Sequence, residues 1–526
     1  MMRVSFAHNT RHSSSTTYLL SVPDRAAQLR ELSTRVFDLL VIGGGITGAG
    51  IARDAALRGM SVALIDKSDF ASGTSSRSSR LIHGGVRYLE HGHLHLVFEA
   101  SAERRRLLRL APHLVSPLPF VWPVYAGQRL PLWKIAAGLT LYDLLSLFRN
   151  VERHRRLDVS GVLAHEPGLR AEGLRGGVRY FDAATDDARL TLANVLDAVH
   201  LGAVAANHVA YRSGAPQGGV HIARAEDALT GDRFDIRGRV LVNAAGPWSD
   251  AVTEAAGGVP GSANKVRGSK GVHLSVRRER IGNRDALTLV HPRDGRVMFA
   301  LPAGAHTIIG TTDTFTDVSP DEVRADEGDV GYLLDAANAF FPEAHLSRDD
   351  VVAAWAGIRP LVPTTGPSVA ASREHAVVRG DASVAITGGK LTTYRVMAKE
   401  VVDAAREILR MPPRRAATGN RPLPGSERAS VDAGREVEVG LPYRLNDLRI
   451  AVERELACTL GDLLIRRTHI AYETRDNGRA TARRVADFVG PLLEWSAAVR
   501  DREIARYDAE VARIFTIESG QAVTSS

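Results

Sequence analysis

"FDLLVIGGGITGAGIARDAALRGMSVALIDKSDF", residues 37–70, decides how this chain folds. "DLLVI" is a short apolar run suited to a strand buried on both faces. A glycine turn comes next, and then "ITGAGIARDAALRG", with small residues on the face that would press against that strand. Gly59 stops the helix, and "SVALID" is a second buried strand that ends in an acid. Strand, glycine turn, helix and strand make the start of a βαβ unit and not a free-standing helix bundle.

Within it, Gly43, Gly45 and Gly48 have the spacing G-x-G-x-x-G. The first allows the tight turn, the second lets a pyrophosphate approach the backbone, and the third lets helix and strand pack closely. The helix N-terminus then offers free N–H groups and partial positive charge to phosphate. Asp66 falls about twenty residues on, where a carboxylate accepts hydrogen bonds from ribose hydroxyls. The reading is a dinucleotide site. Two later stretches favour FAD over NAD. "LVNAAGPWSD" (241–250) suits a second chain crossing beneath the same dinucleotide, and "TGGKLTTYR" (387–395) is a second glycine turn opening a helix. Its N-terminus can carry the negative charge that gathers on a flavin ring edge during reduction.

Composition sets the outer limits. A chain of 526 residues predicts two or three domains. The single cysteine, Cys458, excludes an internal disulfide, and the run "ELACTLGDLL" around it reads as helical with the thiol buried. The net charge of +7 is spread among nearly as many acids, without the dense basic stripe of nucleic-acid binding, so no nucleic acid is expected. Only six of the 67 basic residues are lysines, which makes Lys270 and Lys390, each inside a glycine-containing motif, informative. No apolar run reaches the length that crosses a bilayer. The nearest, "IAAGLTLYDLLSLF" (135–148), reads as a buried core helix, with a helix lying in a membrane interface as the alternative. No cluster of metal ligands is read from the spacing.

The organisation comes from the pattern along the chain. The Ser-, Thr-, Arg- and His-rich stretch 1–36 reads as a disordered extension, and 37–410 as the oxidoreductase region. Within that region, cofactor-binding segments are expected at about 37–120, 176–260 and 355–410, and substrate-binding segments at about 121–175 and 261–354. "GVHLSVRR", "GRVMFALP" and "HTIIGTTD" read as strands of an antiparallel sheet. A Pro-rich linker at 411–426 precedes a helical domain at 427–526. The expected fold class is α/β: a discontinuous FAD-binding Rossmann-like domain, an inserted antiparallel-sheet substrate domain and a C-terminal helical domain.

A long loop, "TSSRSSRLIHGGVRYLE" (74–90), leads from the first unit into the helical run beyond residue 90, packing hydroxyls, two glycines, an imidazole, a cation and a tyrosine together. With "DDARLTLANV", "LVNAAGPW", "SKGVHL", "IIGTTDT", "GIRPL" and "GGKLTTYR", in that order, it makes the chain resemble the FAD-dependent, membrane-associated glycerol-3-phosphate dehydrogenases over roughly residues 37–526. Asp66 stands where many members carry Glu, and Arg80 where Lys is frequent. The resemblance implies that Gly43, Gly45, Ile46, Thr47, Gly48, Asp66, Lys67, Thr74, Ser75, Ser76, Ser79, Leu81, Gly84, Gly85, Val209, Gly246, Trp248, Gly388, Gly389, Lys390, Leu391 and Thr392 hold FAD. It places Arg87, Tyr88, Lys270, Thr312, Asp313, Arg359, Arg373 and Lys390 around the substrate, with His83, His273, Arg359 and Lys390 as catalytic residues.

The reaction so implied is oxidation of sn-glycerol 3-phosphate to dihydroxyacetone phosphate, with hydride passing from C2 to flavin N5. Arg87 would grip the phosphate bidentately, and Arg359 or Lys390 would stabilise alkoxide charge. The base stays open among His83, His273 and Lys390. The expected acceptor is a membrane quinone and the expected place the inner face of the cytoplasmic membrane, held peripherally at its lipid surface. An oxygen-using oxidase that releases hydrogen peroxide is the alternative. An amine or amino-acid oxidase and a non-catalytic flavin-binding protein rank below it. A homodimer stays open as a partner.

Overall fold

The computed structural model describes residues 24–85, 94–145, 151–258, 267–361, 375–425 and 434–519. The chain opens with α1 (Arg25–Thr34), β1 (Val36–Ile42), α2 (Ile46–Leu57) and β2 (Val62–Ile65), then β3 (Leu81–Ile82). Next come α3 (Leu94–Leu110), β4 (Val115–Tyr125), α4 (Leu132–Leu145), β5 (Arg155–Leu157), α5 (Val159–His165) and β6 (Leu174–Thr185). After them stand α6 (Asp187–His200), β7 (Val204–Ala206), β8 (Val209–Gln217), β9 (Val220–Asp227), β10 (Arg233–Asn243) and α7 (Ser249–Ala255). Then come β11 (Arg267–Arg277), α8 (Arg278–Ile281), β12 (Ala286–Val290), β13 (Val297–Ala303), β14 (His306–Gly310), β15 (Thr314–Thr316), α9 (Glu327–Phe340) and β16 (Val351–Leu361). β17 (His375–Arg379), β18 (Ser383–Gly388) and α10 (Tyr394–Ile408) lead to the C-terminal helices α11 (Leu445–Arg454), α12 (Ile470–Glu473), α13 (Arg479–Val489) and α14 (Ala497–Phe515).

Two sheets organise these elements. The first has the order β17-β18-β10-β1-β2-β7, with β9 antiparallel to β10 and β8 paired to β9. Its centre is parallel, with Ile42 opposite both Asn243 and Ile65. Helices cover it because both faces of β1 are apolar. Leu39 and Val41 pack against α2 and α10, while Leu40 and Ile42 pack on the opposite face with Leu32 and Ile236. β1 and β10 are drawn together from far apart in the chain, so this unit is discontinuous, as expected.

The second sheet runs β15-β11-β14-β13-β12-β4-β6-β3, with β16 on β11 and β5 on β6. It is antiparallel except where β12 runs parallel to β4. β4, β6 and β16 belong to it, although they fall wholly or partly in segments expected to build the cofactor unit. The expected bounds near 120, 176 and 355 cut through these strands, and only their pairing assigns them to one sheet.

Three more boundaries differ from the sequence expectation. Residues 25–34, expected within a disordered extension, form α1, capped by Asp24 accepting from Ala27 N at 2.6 Å. The stretch 411–425 is fastened down: Arg53 donates to the Arg421 carbonyl at 2.8 Å and Leu423 N to the Leu110 carbonyl at 2.8 Å. Cys458 sits beyond the end of α11 and not in a helix, half-buried, with burial pushing its thiol up to about 12.

The C-terminal helices are welded to the rest. Their apolar faces share one core with Phe120, Val178 and Trp355 of the second sheet. Arg189 makes a two-pronged bridge to Glu455 at 2.7 Å on both arms. A π-helical turn, Asp462–Arg467, sends Arg466 and Arg467 to Asp69, each at 2.6 Å and all three buried. Asp69, His208 and Asp462 converge there in a metal-like triad, but Arg466 bridges the two carboxylates.

Candidate active site

The glycine turn is shaped by contacts that exclude side chains. Gly43 has φ +104°, and a Cβ there would lie 2.6 Å from the Ala244 carbonyl oxygen of the crossing chain. A Cβ at Gly48 would run into the Gly43 carbonyl. Gly45 is the N-cap of α2 and supplies no capping side chain, leaving the helix end to a ligand. Ser75 reaches back to it, its Oγ accepting from Ile46 N at 2.9 Å. At the end of β2, Asp66 accepts from Gly44 N at 2.7 Å and Ser68 N at 2.9 Å. Burial pushes its carboxyl up to about 6 despite those two donors.

From this turn a cavity of about 960 Å³ runs between the two sheets. Gly43, Gly45, Ile46, Thr47, Asp66, Lys67, Thr74, Ser75, Ser79, Leu81, Gly85, Val209, Gly246 and Trp248 line it, and so do Gly388, Gly389, Lys390 and Leu391 from the second glycine turn. A carboxylate at the ribose position, a helix end whose N-cap is a glycine and a second helix opening on the same space are a donor set that fits FAD. Trp248 packs against Gly73, and Lys67 lies over the Trp248 ring at 4.5 Å while bridging Asp321 at 2.8 Å.

The wall at the far end comes from β11, β14 and β16. Their register sets His273 opposite Trp355 and Gly310, and Ser269 opposite Arg359. His273 Nε2 lies 2.8 Å from Ser79 Oγ, and its ring stacks on Trp355 at 5.7 Å and 15°. Burial first, then Arg359 and Arg80, lower the imidazole to about 3, so it is neutral. Arg359 donates to Thr311 Oγ1 at 2.9 Å and to the Thr312 carbonyl at 3.2 Å, and pairs with Asp313 at 3.4 Å. His83 lines the cavity, and its carbonyl accepts from Thr392 Oγ1 at 3.2 Å. Next to it Gly84 N donates to Asp182, which Arg104 and Tyr142 also hold.

The structure therefore brings His83, His273, Asp313, Arg359 and Lys390 to one cavity. It does not bring Lys270. Side chains alternate along β11, so with Gly271 and His273 on the cavity, Lys270 projects to the other face. There it bridges Asp326 at 2.7 Å and Asp329 at 2.6 Å. Thr312 is turned away as well, its Oγ1 accepting from Val272 N at 3.0 Å, while its neighbour Thr311 faces the cavity. Ser76, Gly84, Gly48 and Thr392 shape the wall from behind. Arg87, Tyr88 and Arg373 lie outside the described residues.

Sequence reading missed one whole side of the cavity. Phe120, Trp122, Leu130, Ile135, Leu141, Tyr180 and Phe299 form an apolar lobe between the second sheet and α4. Gly138 faces into it with open space where a Cβ would stand. The Pro- and Trp-rich strand "LPFVWPVY" was the available signal, but a core strand carries the same composition. Arg77 was missed too: it is buried on the lining and donates to the Ala356 carbonyl at 3.4 Å.

Comparison with known proteins agrees with this geometry. The family described as FAD dependent oxidoreductase matches residues 38–404, and the C-terminal domain of alpha-glycerophosphate oxidase matches 395–500. A Mycobacterium tuberculosis protein named glycerol-3-phosphate dehydrogenase 2 is 38% identical, over 94% of this chain and 91% of its own. The mitochondrial glycerol-3-phosphate dehydrogenase of Macaca fascicularis is 36% identical, over 90% and 73%. Among solved structures, the Bacillus halodurans glycerol-3-phosphate dehydrogenase complexed with FAD superposes with a TM-score of 0.76 at 31% identity, covering 94% of this chain and 98% of that one.

Proposed function

Because this chain belongs to the family of FAD-dependent glycerol-3-phosphate dehydrogenases, we propose that the electrons it takes from glycerol 3-phosphate leave to a membrane quinone. The observation that carries this reading is the apolar lobe, which joins the reaction cavity to α4. α4 lines the lobe with Ile135, Ala137, Gly138, Leu141 and one cation, Lys134, while Trp133 and Leu144 of the same helix are exposed. Leu94 and Phe98 of the neighbouring α3 are exposed as well. Among the described residues no helix is long and apolar enough to cross a membrane. These side chains suit a helix pair resting in a lipid surface, with the lobe as the way in for a lipid-dissolved ring.

FAD, when bound, supplies the hydride acceptor. The protein's own groups do the rest. The α2 N-terminus and Asp66 would hold the dinucleotide, and the second glycine turn would hold the ring end. Arg359 would draw the substrate's oxygen into a site of fixed positive charge, with Arg87 on its phosphate. Proton removal falls to His83 or Lys390, since both nitrogens of His273 are already committed or buried.

The test is anaerobic titration of the purified flavoprotein with glycerol 3-phosphate, then addition of a quinone analogue. Bleaching by substrate and recovery with quinone are expected. Recovery only with oxygen, with stoichiometric peroxide, would favour the oxidase reading. Gly138→Trp fills the lobe. It should slow quinone turnover about ten-fold or more and leave bleaching by substrate unchanged.

A further inference from the structure

Tyr472 lies in α12 of the C-terminal region, buried and off the cavity. Its hydroxyl donates to the Ser76 carbonyl at 3.1 Å. The Arg80 guanidinium lies over its ring, 5.0 Å from the centroid. Its ring meets Trp355 nearly edge to face at 5.0 Å, and Trp355 stacks on His273, which bonds Ser79. Tyr472 thus touches both ends of the segment Ser76–Arg80 and, one ring further on, the imidazole that grips its middle. Phe515 packs against it at 5.0 Å, and Ser275 Oγ donates to its carbonyl at 3.1 Å.

Packed rings at interior density have few torsions and little room, so such a ladder transmits position rather than absorbing it. Of the C-terminal helices, α14 lends Arg513 to the cavity lining, and α12 packs behind the His273 wall through Tyr472 and Trp355. We propose that Tyr472 is a positioning residue for substrate oxidation: it holds the Ser76–Arg80 segment and the plane of His273 from outside the cavity. This rests on the reading that glycerol 3-phosphate is oxidised in that cavity. Tyr472 touches neither substrate nor cofactor in this scheme. Its effect runs through Ser79 and His273, where a displacement of less than an ångström lowers rate.

The experiment is Tyr472→Phe, purified with its FAD, with anaerobic stopped-flow reduction by glycerol 3-phosphate measured per bound flavin. Removal of one buried hydrogen bond predicts reduction slower by about five- to twenty-fold, of the order such bonds contribute. The circular dichroism of the bound flavin should change, and the Kd for FAD should stay within about two-fold, since Tyr472 does not line the cavity. A merely structural role would lower Tm and leave the rate per bound flavin equal to wild type, and that result would overturn the proposal. If wild type is not reduced by glycerol 3-phosphate at all, the functional reading fails before this one. Should Tyr472→Phe not accumulate, Ser275→Ala removes the anchor on the other side of Tyr472. The same slowing, smaller, is expected, and an unchanged rate there overturns the proposal equally.

Discussion

Ser79 Oγ and His273 Nε2 lie 2.8 Å apart on the cavity wall, and this pairing determines which nitrogen of the imidazole carries the proton. Nδ1 is buried without a partner. A neutral ring leaves either an N–H or a lone pair unpaired there, and the lone pair costs less. The proton therefore sits on Nε2 and is donated to Ser79, whose own hydroxyl proton is free to point into the cavity.

That assignment has a consequence for stability. The folded imidazole stays neutral down to about pH 3, whereas an unfolded histidine takes a proton near pH 6.5. Stability is thus lost as pH falls below the unfolded value, by about 2 kcal/mol between pH 6.5 and 5. Urea denaturation of wild type and His273→Gln at pH 7, 6 and 5 should show the variant with the shallower decline. Parallel declines would contradict a neutral buried ring.

Asp66 gives a second pH effect of the same sign, on the cofactor. Burial raises its carboxyl to about 6, so it becomes a poorer acceptor for ribose hydroxyls as pH falls through that value. FAD affinity of the apoprotein should drop between pH 7 and 5, as read by quenching of flavin fluorescence. Asp66→Asn should weaken binding at pH 7 about ten-fold or more, the scale of a lost charge-assisted bond, and flatten the pH dependence.

Lys270 pairs with Ile358, one register step from Arg359, yet of the two cations only the arginine faces the cavity. Arg359→Ala should raise KM for glycerol 3-phosphate and lower kcat/KM by about a hundred-fold or more, with Arg359→Lys intermediate. Lys270→Met should leave KM unchanged and lower stability by about 1–2 kcal/mol, because Asp326 and Asp329 lose the cation between them. A raised KM in Lys270→Met would return that residue to the pocket.

Asp69 anchors the C-terminal helices through two buried arginines. Arg467→Ala leaves its charge partly uncompensated and should cost about 3 kcal/mol. Because Asp69 adjoins Phe70, which packs against Gly44 of the dinucleotide turn, FAD should be lost at a lower temperature in the same variant. Flavin release and tertiary unfolding monitored together in one thermal scan check this.

The parts of this molecule that could be read from sequence are those whose signal is local. The turn Gly43–Gly48, the acid at Asp66 and the helix opening at Lys390 each lie within a few residues of the elements that give them meaning. α1 was missed because the Ser-, Thr-, Arg- and His-rich composition of 1–36 reads as disorder. Lys270 was misplaced because its partners stand 56 and 59 residues further on, and only strand alternation about His273 shows which way it points. The expected segment bounds near 120, 176 and 355 cut through β4, β6 and β16, because nothing local in those strands shows which sheet they pair into. The grip of Arg466 and Arg467 on Asp69 joins positions 397 and 398 residues apart, and no periodicity reports such a pairing.

β18 is threaded beside β10 only after almost the whole oxidoreductase region has left the ribosome, and α10 must then pack over α2. Until those late pieces arrive, the nascent chain has a first glycine turn with nothing to close its other end. Closing the cavity around the cofactor therefore needs a chain made at least through α10. Scarcity of flavin during growth should show itself as a pool of complete but colourless protein, and not as truncated fragments.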